Sequence, residues 1–101
     1  MVAVKPVVMQ PGKMTLPDKA DIVRYMRTRE KTAIAPKIFH DPVTDEPIAE
    51  LDWREDAEYG WSSETTYLFD RYNYPLPESF IEHVRKVLQG RAAIRPAGMQ
   101  I

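Results

Sequence analysis

The sequence predicts an α+β fold in which a small antiparallel sheet or a β-hairpin packs with two or three helices. Apolar residues recur at helical spacing in residues 15–31 and 77–90, whereas apolar and acidic residues alternate in residues 48–53. Nine prolines divide the chain into short elements. Because 101 residues is the length of one domain, we predict a single domain over residues 1–101.

The two ends of the chain are candidates for flexible arms. Residues 1–14 contain the apolar runs VAV and VVM, which are separated by Lys5 and Pro6. Because proline is tolerated at a sheet edge, this segment is predicted to be either an edge strand or a loose arm. Residues 91–101 have only weak apolar periodicity, which is typical of a chain end that frays.

Residues 15–31 are predicted to form a helix with a basic C-terminal end. Thr15 is positioned to cap this helix, and Pro17 lies in its first turn. The predicted apolar stripe consists of Ala20, Ile22, Val23 and Met26. The basic residues gather near the C-terminus, where the helix dipole favours cations, and they are Arg24, Arg27, Arg29 and Lys31.

A β-hairpin is predicted next, with arms at residues 33–40 and 48–53. Asp-Pro and Glu-Pro pairs flank the turn between these arms. In the second arm apolar and acidic residues alternate, so we expect Leu51 and Trp53 to face the core. Pro36 would interrupt a central strand, so the first arm is predicted to lie at a sheet edge or to be bulged.

The chain after the hairpin is predicted to run through a loop and two further helices. Residues 54–60 are predicted to form the loop. Residues 62–73 have the β-branched and aromatic content of a strand, but their apolar residues recur at helical spacing, and we favour a helix capped by a serine. The last helix is predicted to begin at Pro77 and to end at Gly90.

Charge is distributed unevenly along the chain, although the net charge is only −1. Residues 41–70 hold ten acidic residues and one basic residue, a net charge of −9, whereas residues 1–40 carry a net charge of +5. Segregated charge creates an electric field that steers a partner of opposite charge. Alternatively, the basic residues within 24–31 neutralise the acidic segment inside the folded domain, and the sequence leaves both interpretations open.

The sequence contains no motif that is typical of catalysis or of a cofactor site. It has no cysteine, its four glycines are scattered, and its serines fit helix caps better than nucleophiles. Two histidines, His40 and His83, are too few for a usual metal site. We therefore predict that the protein is not an enzyme and has neither a cofactor nor a metal site.

Nucleic acids and membranes are disfavoured as partners for different reasons. A block with a net charge of −9 repels a polyanion. No apolar run approaches the roughly 18 residues that span a bilayer, and the start of the chain lacks the features of a signal peptide. A cytoplasmic location is therefore the expectation.

The acidic, aromatic part of the chain predicts a surface that binds a basic protein, as in an inhibitor or an immunity protein. Interface centres favour Trp and Tyr, and acids around them attract basic partners. The predicted partner-binding residues are Glu50, Asp52, Glu55, Asp56, Glu58, Tyr59, Trp61 and Tyr74. The alternative is a small structural or assembly subunit that forms homo-oligomers by pairing its segregated charges between copies.

The aromatic residues are expected to divide between this surface and the core. Those at predicted loop positions are expected to be exposed contacts, and they are Tyr59, Trp61 and Tyr74. A small domain needs its other large apolar side chains inside. The aromatic residues expected in the core are Trp53, Phe69 and Phe80.

Overall fold

A computed structural model of the chain describes the backbone of residues 4–99 and the side chains of residues 4–90. In chain order the elements are β1 (Lys5–Pro6), α1 (Lys19–Thr28), β2 (Glu30–His40), β3 (Pro47–Glu55), β4 (Tyr59–Ser62), α2 (Ser63–Tyr72) and α3 (Glu78–Met99). The strands of this described part form one sheet in the order β1-β4-β3-β2, in which β1 runs parallel to β4 and the other neighbours are antiparallel. The predicted α+β class is confirmed, with a sheet that is mixed rather than purely antiparallel.

β2 and β3 form the predicted hairpin, and each strand is longer than its predicted arm. β2 lies at the edge of the sheet, and its register with β3 shifts between Ile34 and Ile38, around Pro36. The prediction of an edge or bulged strand is therefore confirmed on both counts. Proline has no backbone N–H to donate, so the irregularity lies where the strand pairing is weakest.

α1 is shorter than the predicted helix at both ends. Pro17 disfavours helical backbone at the residue before it, and Asp18 occupies the N-cap position, so the prediction that Thr15 caps the helix is wrong. Arg29 follows the last helical residue and Lys31 belongs to β2, so the predicted basic cluster is divided between a helix and a strand. The buried face of α1 consists of Ile22, Val23, Tyr25 and Met26.

Residues 62–73 contain the helix α2, as favoured from the sequence. Ser62 is its N-cap, and the Ser62 hydroxyl accepts a hydrogen bond from the Thr65 amide at 3.1 Å. Asn73 ends the helix with a left-handed backbone φ of 59° and donates its N–H to the carbonyl of Phe69 at 3.1 Å. The serine cap and the asparagine stop explain why helical spacing prevails over the strand propensity of the sequence.

α3 begins at Glu78, directly after the predicted start at Pro77. It continues through Gly90 to Met99, so the predicted end at Gly90 is wrong. A glycine inside a helix costs only about 1 kcal/mol relative to alanine, which the flanking helix formers overcome. Within the described part of the chain, no helix combines the length and the hydropathy that crossing a bilayer requires.

The N-terminal segment forms a short edge strand. The amides of Lys5 and Val7 each donate a hydrogen bond of 2.8 Å to carbonyls in β4 and in the turn before it. The Val7 side chain is buried in the core. Of the two alternatives for this end, the edge strand is therefore the one that forms. Residues 1–3 and 100–101 lie outside the described residues, and the flexible-arm predictions that include them stay predictions.

The hydrophobic core lies between the helices and one face of the sheet. Trp61, Phe69 and Phe80 are fully buried there, so the prediction is confirmed for the two phenylalanines. Trp61 is directly opposite Arg54, the chain neighbour of Trp53, so the two tryptophans lie on opposite faces of the sheet. Trp53 is only half-buried and does not belong to the core cluster, so its predicted core position is wrong.

Gly60 lies beneath the Trp53 indole on the outer face of the sheet, the face opposite Trp61. Leu51 shares this face with Trp53, so it too lies away from the core cluster, contrary to the prediction. A Cβ atom at Gly60 would lie 2.5 Å from Cζ2 and 2.9 Å from Cε2 of Trp53. Only glycine therefore lets the indole lie flat against β4.

We expect Gly60→Ala to lower the free energy of unfolding by about 1–3 kcal/mol, because the Trp53 ring must move away from β4. Denaturant unfolding measures the loss. Gly90→Ala is the matched control, because a Cβ atom there meets nothing within 4 Å, and it is expected to be neutral or slightly stabilising. Equal effects of the two substitutions would contradict the close contact at Gly60.

Candidate functional site

The predicted partner-binding residues do not form one surface. Glu50 and Asp52 lie in the middle of β3, and Glu55 ends that strand. The predicted loop shrinks to residues 56–58, which hold Asp56 and Glu58. The predicted aromatic contacts lie elsewhere, with Tyr59 and Trp61 in β4 and Tyr74 between α2 and α3.

Asp56 is held inside the domain by hydrogen bonds from four groups. Its Oδ2 accepts from the Tyr25 hydroxyl at 2.6 Å and lies 2.8 Å from Nε2 of His83. Its Oδ1 accepts from the amides of Glu58 and Tyr59 at 2.8 and 2.7 Å. Burial by itself would raise the pKa of Asp56, but these hydrogen bonds outweigh burial and lower it. The charge of Asp56 therefore joins the β3–β4 turn to α1 and α3 inside the domain.

Tyr59 and Trp61 are buried, so the prediction that they are exposed contacts is wrong. They are 8% and 0% exposed. The Trp61 indole N–H donates to the carbonyl of Met26 at 3.0 Å, and the ring of Tyr59 packs edge-on against Phe80 with centroids 5.2 Å apart. Both residues belong to β4, where alternate side chains face the helices, rather than to a loop.

Glu55 lies on the outer face of the sheet beside Trp53. The Trp53 indole N–H donates to Oε2 of Glu55 at 2.7 Å. Glu30 is directly opposite Glu55 in the β2–β3 register, so two carboxylates share this face. The outer face is therefore acidic, but its aromatic residue is Trp53 and not Trp61.

Tyr74 lies beside the basic side chain of Lys13. It is half-buried, and Nζ of Lys13 lies 4.8 Å from the centroid of its ring. The ring of Tyr72 is 6.0 Å away. Tyr74 therefore does not extend an acidic surface, contrary to its predicted place there.

Part of the acidic segment is neutralised within the domain. Nη2 of Arg27 lies 3.0 Å from Oδ2 of Asp70, and Nζ of Lys31 lies 3.6 Å from Oδ2 of Asp52. Internal neutralisation by residues 24–31 therefore holds for these two acids. Glu50 differs, because its carboxylate makes no hydrogen bond or ion pair within the described part of the chain.

Two exposed isoleucines and two acids share one face of the β2–β3 hairpin. Ile34 is directly opposite Asp52 and Ile38 is directly opposite Glu50, and residues two apart in β3 face the same side. Ile34 and Ile38 are 55% and 49% exposed. We call these four residues the hairpin face. Apolar side chains that are exposed together beside charged ones are typical of a protein-binding surface.

The isoleucines of the hairpin face are absent from the predicted site. Ile34 and Ile38 flank Pro36, and the register shift between them breaks the period-two alternation that normally shows which residues share a face. The sequence features that could have indicated them are their large apolar side chains and their positions on either side of a proline in a predicted strand. Glu50 and Asp52, which were predicted, lie on this face.

A cleft of about 380 Å³ adjoins the hairpin face. It lies between the hairpin and the helices α1 and α2, and its walls include Met26, Phe39, Ile48, Glu50, Asp52 and Tyr67. Its volume lies within the range of pockets that hold a small ligand. Glu50 and Asp52 therefore border both the exposed face and the cleft.

No protein-family model, no curated protein and no solved structure matches this chain. Within the side chains that the structure describes, no group of three or more histidine or acidic residues is placed to hold a metal ion. The function of the hairpin face is therefore inferred from its own geometry and charge.

Proposed function

We propose that this protein is a non-catalytic binding protein that presents its hairpin face to a basic protein partner, as an inhibitor or an immunity protein does. The observation that carries the proposal is the direct pairing of an exposed isoleucine with an acid at two successive places, Ile34 with Asp52 and Ile38 with Glu50. Covering the isoleucines with a partner removes apolar surface from water and so stabilises the complex. The acids beside them attract and orient a basic surface of that partner.

Glu50 supplies the free charge of this surface. It is exposed, and its carboxylate has no partner in the described part of the chain. Asp52 is already flanked by cations, because Lys31 lies 3.6 Å and Arg54 3.5 Å from its oxygens. A basic partner therefore meets Glu50 without displacing an internal ion pair, and Glu50 is the side chain expected to steer association.

The exposed edge of β2 is poorly suited to pairing with a second copy of the chain. An edge strand offers unpaired backbone groups to another strand. Along β2, however, Pro36 removes a donor, the register shifts interrupt the strand, and Lys31 and Lys37 add like charges. These features oppose edge-to-edge pairing, which favours binding through the hairpin face over self-association.

The double variant Ile38→Ser/Glu50→Lys is expected to lose a basic partner that the wild-type protein retains. Tagged protein is incubated with a lysate of the native host, and the retained proteins are identified by mass spectrometry. With the purified partner, Glu50→Lys alone is expected to slow association about tenfold at low salt and to flatten its salt dependence. Ile38→Ser is expected to act mainly on the dissociation rate.

Glu82→Lys is the matched control, because it makes the same charge reversal at an exposed position on α3. It is expected to retain the partner as the wild type does. Equal retention by the wild type and the double variant would refute binding through the hairpin face. Light scattering distinguishes this proposal from the alternative of a self-associating subunit. The average mass of a self-associating subunit rises with protein concentration, whereas the proposed binding protein stays a monomer.

A further inference from the structure

The Trp53 indole on the outer face of the sheet contacts no other aromatic ring and no cation within the described residues. Gly60 lies beneath one side of the ring, and the residue directly opposite Trp53 in β2 is Ala33, whose side chain is too small to cover an indole. Trp53 is therefore only half-buried. A large ring that rests on a strand and stays partly exposed can stack with a group from a ligand.

Several tyrosines of the domain already hold a cation of the same chain over the ring. The guanidinium carbon of Arg29, for example, lies 4.1 Å from the ring centroid of Tyr25. Tryptophan is the side chain whose ring attracts cations most strongly. Trp61 is fully buried, so Trp53 is the tryptophan that a cation from another molecule can reach.

Two carboxylates lie beside this ring, and neither has a cation. Oε2 of Glu55 accepts from the Trp53 indole N–H at 2.7 Å, and the exposed Glu30 is directly opposite Glu55 in the β2–β3 register. Neither carboxylate makes an ion pair within the described residues. The adjacent basic residues of these strands, Lys31 and Arg54, lie opposite each other on the other face of the sheet. The charge complement of the outer face beside Trp53 is therefore a cation.

We infer that the outer face binds an arginine side chain of a basic protein, with the guanidinium stacked on Trp53 and its N–H groups directed at Glu30 and Glu55. A guanidinium is planar, so it stacks on an indole while the donors in its plane reach carboxylates at the edge of the ring. An ammonium is a compact, strongly hydrated charge and gains less from such a site. Because this site and the hairpin face lie on opposite faces of the sheet, the inference goes beyond the proposed function and does not depend on it.

The test titrates N-acetylarginine methylamide into the isotope-labelled wild-type chain and follows the two indole N–H signals by NMR. The Trp53 signal is expected to shift saturably, whereas the signal of Trp61, which is fully buried, is expected to stay in place. The blocked citrulline derivative has nearly the same shape without the charge, and it is expected to bind at least about fivefold more weakly. The blocked lysine derivative is expected to bind about threefold more weakly than the arginine probe.

Glu30→Gln is expected to weaken binding of the arginine probe about threefold, because it removes one carboxylate charge without removing an internal contact. Glu50→Gln is the matched control, since Glu50 is also exposed and unpaired but lies on the other face of the sheet, and it is expected to leave binding unchanged. A Trp53 signal that does not shift, or citrulline or lysine derivatives that bind as tightly as arginine, would overturn the inference. Partner capture by the hairpin-face variants is a separate measurement, so this inference and the proposed function can fail independently.

Discussion

Replacing Trp61 with alanine is expected to lower the free energy of unfolding by about 3–5 kcal/mol. Trp61 is fully buried, with ring centroids 6.2 Å from Tyr25 and 5.3 Å from Phe80. Its removal leaves a cavity between the sheet and the helices. The carbonyl of Met26 also loses the indole N–H that donates to it at 3.0 Å. Because small domains are stable by only about 5–15 kcal/mol, denaturant unfolding is expected to show a variant close to the limit of folding.

Trp53→Ala is the matched control, because the same residue type is removed from the opposite face of the same pair of strands. Trp53 is half-buried, lies over Gly60 and donates its indole N–H to Glu55 at 2.7 Å. We expect a loss of about 1–2 kcal/mol, since the site opens to solvent and leaves no closed cavity. The chain has two tryptophans, so each variant retains one tryptophan whose fluorescence can be excited selectively. In Trp53→Ala the remaining tryptophan is Trp61, and its fluorescence is expected to be shielded from iodide quenching because the ring is fully buried. Equal destabilisation by both variants would contradict the assignment of the two tryptophans to opposite faces.

The contrast between the two tryptophans shows what local patterns predict and what they leave undetermined. Alternation predicts a strand around Trp53 and shows which residues share a face, but it does not show which face the helices cover. Here the polar set, Asp52 and Arg54, lies on the helix side, where Lys31 pairs with Asp52 at 3.6 Å. β4 has only four residues, too few to show a period, and so Trp61 resembled part of a loop.

Elements defined by local signals were predictable, whereas the candidate site depends on distant pairing. The hairpin arms, the serine N-cap of α2 and, to within one residue, the start of α3 follow from neighbouring residues and are confirmed. The acidic residues could be counted from the sequence, but their partners could not be, because ion pairs such as Arg27 with Asp70 join residues far apart in the chain. That the carboxylate of Glu50 makes no hydrogen bond or ion pair within the described residues could not be predicted from its neighbours in the chain either.

Asp41 is a further acid whose role depends on distant residues, and Asp41→Asn is expected to lower the midpoint of thermal unfolding by about 10 °C. Asp41 is only 2% exposed. Its Oδ2 accepts from the hydroxyls of Tyr67 and Tyr72, each at 2.6 Å, and its Oδ1 accepts from the amides of Val43 and Thr44 at 2.7 and 3.0 Å. Asparagine has only one acceptor oxygen, so its NH₂ group faces donors and the part-buried tyrosine hydroxyls lose an acceptor.

The pH dependence of stability tests whether the charge of Asp41 is the cause. Burial alone would raise the pKa of Asp41, but hydrogen bonds from Tyr67, Tyr72 and the amides of Thr44 and Val43 outweigh burial and hold the pKa well below its ordinary value of about 3.9. Because the folded-state pKa is the lower one, this contribution is complete above about pH 4 and is lost as the pH falls further. The stability difference between wild type and Asp41→Asn is therefore expected to shrink in acid.

The hydrogen bond between Tyr67 and Asp41 also changes the titration of the Tyr67 hydroxyl at alkaline pH. The hydrogen bond to Asp41, followed by burial and the nearby charge of Asp41, raises the pKa of Tyr67 from 10.0 to about 12. Because the folded-state pKa is the higher one, this contribution is complete below about pH 10 and is lost as the pH rises through about 12. In Asp41→Asn the tyrosinate absorbance of Tyr67 is expected to appear at a lower pH than in the wild type, because the hydrogen bond and the charge of Asp41 are lost while burial remains, with Tyr67→Phe identifying its signal. A tyrosine titration unchanged by Asp41→Asn, together with a stability difference that is constant with pH, would show that Asp41 acts through packing and not through its charge.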